Sequence, residues 1–497
     1  MNNSNVKSSP SIVKEEIVTL DKDQQPLLLK EHQHIIISPD IRINKPKRES
    51  LIRTPILNKF NQITESIITP STPSLSQSDV LKTPPIKSLN NTKNSSLINT
   101  PPIQSVQQHQ KQQQKVQVIQ QQQQPLSRLS YKSNNNSFVL GIGISVPGEP
   151  ISQQSLKDSI SNDFSDKAET NEKVKRIFEQ SQIKTRHLVR DYTKPENSIK
   201  FRHLETITDV NNQFKKVVPD LAQQACLRAL KDWGGDKGDI THIVSVTSTG
   251  IIIPDVNFKL IDLLGLNKDV ERVSLNLMGC LAGLSSLRTA ASLAKASPRN
   301  RILVVCTEVC SLHFSNTDGG DQMVASSIFA DGSAAYIIGC NPRIEETPLY
   351  EVMCSINRSF PNTENAMVWD LEKEGWNLGL DASIPIVIGS GIEAFVDTLL
   401  DKAKLQTSTA ISAKDCEFLI HTGGKSILMN IENSLGIDPK QTKNTWDVYH
   451  AYGNMSSASV IFVMDHARKS KSLPTYSISL AFGPGLAFEG CFLKNVV

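Results

Sequence analysis

The first 136 residues hold no cysteine, only two aromatics (Phe60 and Tyr131) and no sustained apolar periodicity. Such a chain cannot bury enough apolar surface to offset roughly 1–2 kcal/mol of conformational entropy per residue. Residues 1–136 are therefore predicted to be a disordered extension rich in Gln, Asn, Ser and Pro. Long apolar runs are missing everywhere: HIIIS (34–38) falls far short of the ~20 residues that cross a bilayer. The N-terminus also lacks the charged-then-apolar pattern of a secretion signal. No membrane span is expected, and a cytoplasmic location is. The eight cysteines all lie beyond residue 225, with no CxxC pair and no histidine at zinc-ligand spacing. That argues against a disulfide framework and a metal site, and for a reducing compartment. The formal charge of +3 is small and its basic excess sits mainly in the extension, so no nucleic-acid surface is expected. GIG (141–143) lacks the third glycine and the immediate helix of a dinucleotide site.

What the extension does contain is a low-complexity run, VQQHQKQQQKVQVIQQQQQP (106–125), and a weak repeat: RTPIL (53–57), STPSL (71–75), KTPPI (82–86) and NTPPI (99–103). Thr before Pro would suit a proline-directed kinase or a docking partner, although drift in a biased linker produces such repeats more often.

Beyond residue 136 two stretches organise the chain. In the first, a β-favouring run VSLNL (273–277) enters MGC and then LAGLSSLRTAASLAKA, ending at Ala296. This reads as a buried strand, a tight turn and a buried helix with Cys280 in its first turn. Unpaired N–H groups and a neighbouring imidazole at such a place bring a thiol from ~8.5 down to ~3.5–7.5. Cys280 as one more buried small side chain is the competing reading. In the second stretch, HAYGNMSSASVIFVMDHARKSK (450–471), a Gly again precedes one polar residue, Asn454, at the head of a helix. Each helix is followed by two strands, 300–309 with 333–340 and 475–485 with 486–493, which predicts a chain duplicated within itself. Between the stretches, CEFLIHTGGKS (416–426) delivers His421 from a strand into a Gly-Gly loop. Taken singly, His421 reads as a satisfied core histidine and Asn454 as a helix cap. Together, three reactive side chains arriving where elements begin or end read as a site.

The motifs LMGCLAG, ILVVCTEV, IFADGSAA, IHTGGKSIL, YGNMSSAS and FGPGLAFEG, with His421 and Asn454 33 positions apart, resemble the type III polyketide synthases. These are the chalcone and stilbene synthase family of the thiolase fold, and the resemblance covers about residues 137–497. It implies an α/β chain of duplicated βαβαβ halves in five αβαβα layers, the halves being 137–345 and 346–497. It also implies a homodimer that condenses an acyl-CoA starter with malonyl-CoA, with no bound cofactor and no metal. Cys280 would carry the acyl group and pair as thiolate with His421, while His421 and Asn454 would hold the enolate left by decarboxylation. The thiolase-fold relative, ketoacyl-carrier-protein synthase III, shares these three residue types and is the alternative. A non-catalytic scaffold fits poorly with all three present.

The same resemblance assigns further positions. Lys173 and Arg176, in a helical stretch expected over 171–188, would bind coenzyme A phosphates; the third position of that clamp holds Gln180, with Lys184 one turn on. Ile253, with Pro254 after a cis bond, would cross a dimer interface. Phe329 and Leu378 would guard the mouth, Leu378 replacing an aromatic ring and loosening it. Thr249, Cys310, His313 and Ser456 would line the starter pocket, and Ser248, Glu308 and Ser456 would help water release the product. Trp369 falls where chalcone synthases keep Gly, so small starters and short products, pyrones from two or three extensions, are expected.

Overall fold

The computed structural model describes residues 136–497, with positions 318, 374, 408, 471, 472 and 497 apart. The extension and its Thr-Pro repeats lie outside the described residues. The first half contains β1 (Ser137–Ser145), a ribbon of β2 (Ile151–Ser152) and β3 (Thr185–Arg186), and between these α1 (Gln153–Asp163) and α2 (Ala168–Ser181). It continues through α3 (Ile207–Trp233), β4 (His242–Thr247), α4 (Val256–Leu264), β5 (Glu271–Asn276), α5 (Ala282–Ala296), β6 (Arg301–Val309), α6 (Gly320–Ile328) and β7 (Asp331–Cys340). The second half contains β8 (Tyr350–Ser359), a hairpin of β9 (Met367–Glu372) and β10 (Gly375–Leu380), and α7 (Ile384–Thr407). After it come β11 (Cys416–Ile420), α8 (Lys425–Leu435), α9 (Lys443–Tyr452), α10 (Ser459–Ala467), β12 (Tyr476–Gly483) and β13 (Ala487–Asn495).

Nine strands join in the order β11-β12-β13-β8-β1-β7-β6-β4-β5. Strand β4 lies parallel to β6, and the pairs β6–β7 and β7–β1 are antiparallel. The second half repeats this, with β11 parallel to β12 and the pairs β12–β13 and β13–β8 antiparallel. The expected duplication is thus present in the pairing itself. The halves are not separate sheets, however: β1 and β8 join them over Ser137–Val139. The expectation of a buried strand at 273–277 is corrected. Among the described residues strand β5 has no counterpart in the second half, pairs only with β4, and forms a largely exposed edge. An edge strand has one free side, so its apolar residues need not be covered within the chain.

Both ends of the sheet face the same two central helices. Leu284, Leu287 and Ala290 of α5 share one core with Ile461, Phe462 and Met464 of α10, and that core takes Val244, Val304 and Ile338 from one half and Leu419, Ala481 and Leu493 from the other. Helix α10 is buried from Ser459 to Asp465, mostly through apolar side chains, as a helix packed between sheet halves requires. The two helices meet where a Cβ on Gly283 would stand 2.3 Å from the Ser457 carbonyl oxygen, so only glycine fits there. Outside, α3 covers the first half and α7 the second, completing five layers. Each fully buried aliphatic or aromatic side chain contributes about 1.5–3 kcal/mol.

Two helix limits differ from expectation. The stretch expected to be helical to 188 stops at Ser181, where Gln182 turns left-handed (φ 63°), so Lys184 is not one turn on. The segment VVPDLAQQACLRALKDW predicts a helix over 217–233, but α3 starts ten residues earlier, because Thr206 and Asp209 form a reciprocal capping box.

Candidate functional site

Strand β5 runs through Leu277 (φ 62°) into Gly279 (φ 69°), and Cys280 follows in a 3₁₀ turn, Gly279–Leu281, from which α5 departs. The left-handed backbone and the Pro484 ring, 2.5 Å from where a Cβ would stand, both require glycine at 279. The Gly279 N–H donates to Ser248 Oγ (2.8 Å), which fixes the turn. The expected readily ionised thiol is corrected. Loss of hydration pushes Cys280 up to about 12, outweighing the Ser456 and Asn454 hydrogen bonds that favour its thiolate. The same cause pushes His421 down to about 3. Burial therefore opposes ionisation of both the thiol and the imidazole.

His421 leaves the end of β11, its backbone N–H donating to the Leu480 carbonyl (2.8 Å), and its Nδ1 is buried without a protein partner among the described residues. Asn454 sits before a matching 3₁₀ turn, Ser456–Ala458, at the head of α10. Its Oδ1 accepts from the Ser456 N–H (2.8 Å), so its Nδ2 hydrogens are left as donors; one reaches the Gly423 carbonyl at 3.4 Å. Thr422 Oγ1 donates to the Gly453 carbonyl (2.7 Å), binding the histidine loop to the asparagine loop. Cys280, His421 and Asn454 thus open onto one chamber of about 460 Å³, walled mainly by apolar side chains such as Ile328, Phe329, Met367, Leu380 and Ile427.

Comparison with known families decides what this arrangement belongs to. The family model for chalcone and stilbene synthases, N-terminal domain, matches residues 126–342, and that for their C-terminal domain matches residues 351–497. The chain belongs to the chalcone and stilbene synthase family. It has the α/β thiolase-like fold of that family and its activity, that of a condensing acyltransferase acting on coenzyme A thioesters.

The positions that the family resemblance assigned fall in several places. Phe329 lines the chamber and is held from behind. The fully buried Arg186, which sequence reasoning missed, donates to the carbonyls of Phe329 (2.6 Å) and Ser326 (2.8 Å), and burial lowers it to about 9. Phe329 and Asn454 form a parallel bridge, so Arg186 braces both. Leu378 does not stand at the chamber mouth. It pairs across the hairpin with Trp369, and both face a void of about 10 Å³ shared with Cys310 and His313. The hairpin residues that line the chamber are instead Met367 and Leu380.

Trp369 lies between Phe329 (6.1 Å between ring centroids), His313 (5.6 Å) and Trp376 (6.5 Å). His313 is bonded through Nε2 to the Thr249 carbonyl (2.7 Å), and burial lowers it to about 4. Its Nδ1 and the Trp369 Nε1 are buried without partners among the described residues. The Thr249 side chain does not line a pocket, because its hydroxyl donates to Glu308 (2.9 Å) and accepts from the Val309 N–H (2.9 Å).

The expected water-activating set is also corrected. Glu308 is fully buried and accepts from Ser457 Oγ (2.6 Å), the Ser248 N–H (2.9 Å) and Thr249, with Ser456 Oγ only at 3.5 Å. Burial raises its carboxyl. A carboxylate so enclosed ties the Cys280 half to the Asn454 half.

Lys173 and Arg176 lie on α2 outside the chamber wall, Arg176 exposed and the Lys173 ammonium close to Gly320. The Ile253–Pro254 bond is cis, and Ile253 is 88% exposed; Ile251, Phe258, Leu263 and Leu277 are exposed as well. All eight cysteines are unpaired. Among the described residues no helix is long and apolar enough to cross a membrane.

Proposed function

We propose that the chain is a type III polyketide synthase in which Cys280, His421 and Asn454 carry the chemistry. The observation behind this reading is the convergence of the three on one chamber, with the Asn454 amide oriented by Ser456. The Cys280 sulfur attacks the starter thioester carbonyl while neutral His421 takes its proton; the bond to the coenzyme A sulfur breaks and that thiol leaves with the proton. Malonyl-CoA then loses carbon dioxide, and the freed electron pair becomes an enolate. The Asn454 Nδ2–H and the His421 N–H stabilise its oxygen; losing one such donor raises a barrier by ~2.7–4 kcal/mol. The enolate carbon bonds to the acyl carbon and the Cys280 thiolate departs, ready for the next unit.

The small void at Trp369 supports small or aliphatic starters and short products, two- or three-extension pyrones with free acids alongside. A second copy of the chain covers the exposed Ile251, Ile253, Phe258, Leu263 and Leu277, giving a homodimer, and eight free thiols fit a cytoplasmic setting.

The test is purified protein with acyl-CoA starters and radiolabelled malonyl-CoA, without carrier protein. Wild type should make labelled polyketide. Cys280→Ala should lose covalent acyl loading yet still decarboxylate malonyl-CoA, since the enolate donors remain. Condensation at the wild-type rate in Cys280→Ala would defeat the assignment.

A further inference from the structure

The chamber wall holds two carboxylates, Asp321 and Asp381, but among the described residues only one Lys or Arg, Lys425. Both acids have local duties: Asp321 accepts from the Leu380 N–H (3.0 Å) and Asp381 from the Ser383 N–H (2.8 Å). Lys425 is half-buried on the first turn of α8, two residues beyond Gly423. Its own N–H is fixed by Tyr449 Oη (3.2 Å), while its ammonium has no acid within ion-pair distance among the described residues. Gln180 and Ser426, its fellow wall residues, are exposed, which puts this part of the wall at the rim; Asn454 and His421 are buried at the floor.

A coenzyme A thioester is a polyanion at its nucleotide end. A rim carrying only Asp321 and Asp381 would repel it. The neutral Gln180 leaves α2 one cation short on one side of the mouth, where the Lys173 ammonium stands 3.6 Å from the place of a Gly320 Cβ. We propose that Lys425, which Tyr449 Oη links to the Ser181 carbonyl (2.8 Å) at the end of α2, supplies the missing charge there, binding the phosphates at the nucleotide end of the coenzyme A thioester. The malonyl carboxylate is a poorer partner for Lys425. A cation on that group would stabilise the ground state and hold back the electrons that must leave as carbon dioxide departs.

This rests on the polyketide synthase reading. Its test compares malonyl-CoA with malonyl-pantetheine, which has the same reacting end and no nucleotide, in wild type, Lys425→Gln and Lys425→Arg. In Lys425→Gln the KM for malonyl-CoA should rise about tenfold, a usual loss for one charge-assisted phosphate contact at a solvent-screened rim. Its KM for malonyl-pantetheine and both kcat values should stay near wild type, and Lys425→Arg should restore malonyl-CoA to within about twofold. An equal loss on both substrates would mean that Lys425 acts on the chamber itself, and an unchanged malonyl-CoA KM that it touches no phosphate; either overturns the proposal. Wild type inert toward both thioesters would instead defeat the functional reading.

Discussion

Replacing Trp369 with glycine tests whether cavity size stops chain growth. The indole now stands between Phe329, His313 and Trp376, and the space left beside it, about 10 Å³, is room for roughly one water. Removing it exposes ~150–250 Å² of aromatic-lined surface. The opened volume would adjoin Phe329, whose ring also walls the chamber that holds Cys280. Loss of a buried aromatic typically costs ~3–5 kcal/mol, and glycine within a strand a further ~0.5–1. Trp369 is only half-buried and sits in a two-stranded hairpin, so the loss should fall at the low end of that range. The variant should therefore fold, with a lowered melting temperature. Its products, read by mass after incubation with acyl-CoA and labelled malonyl-CoA, should gain at least one extender unit, or it should accept bulkier starters. Trp369→Phe, which keeps a ring in place, should stay close to wild type in product length. If Trp369→Gly and Trp369→Ala melt cooperatively yet make the wild-type products in wild-type ratio, the indole does not limit growth and the size argument is wrong.

Glu417, in β11, has its carboxyl raised to about 7 by burial despite a bond from Asn444 (2.7 Å). An acid raised in the folded state is stabilising only while protonated, so this contribution is present below the unfolded value and is lost as pH rises through about 7. Glu417→Gln should melt with wild type at pH 4 and above it at pH 8; a constant difference across that window would contradict this. Glu308→Gln keeps the shape but turns one acceptor into a donor facing Ser457 or the Ser248 N–H, at ~1–3 kcal/mol per group left unpaired. Its melting temperature and acyl-loading rate should fall together, and an unchanged melt would show that the carboxylate does not join the halves. With burial opposing ionisation of thiol and imidazole alike, iodoacetamide labelling of Cys280 should quicken about tenfold per pH unit between 6 and 9, as its thiolate fraction grows. A flat profile would mean a preformed ion pair.

The candidate site was legible where its chemistry depends on element ends. Gly279 before Cys280, Gly423–Gly424 after His421 and Gly453 before Asn454 mark the places where backbone leaves a strand or enters a helix, and glycine there is dictated by sterics. The repeated helix–strand–strand order likewise foretold the pairing shared by β6–β7 and β12–β13. What depends on environment was not legible. The apolar letters of β5 are the same whether a neighbour covers them or not, and its edge position follows only from the sheet order. Helix-start geometry argued for an ionised Cys280, but the loss of hydration that opposes it is a property of the folded surroundings. The choice between Ser456 and Ser457 as the partner of Glu308 turns on one dihedral. Ser456 adopts φ 50°, and its hydroxyl reaches Glu308 only at 3.5 Å while that of Ser457 reaches it at 2.6 Å. Two adjacent serines differ by nothing in sequence, so a role assigned by alignment to one can pass to the other through a single left-handed residue. The hydroxyl that Glu308 does not hold closely is then left to Cys280, whose thiolate Ser456 favours. That division of labour gives the small residues of MSSAS separate tasks: Ser457 holds the two halves together, and Ser456 serves the sulfur.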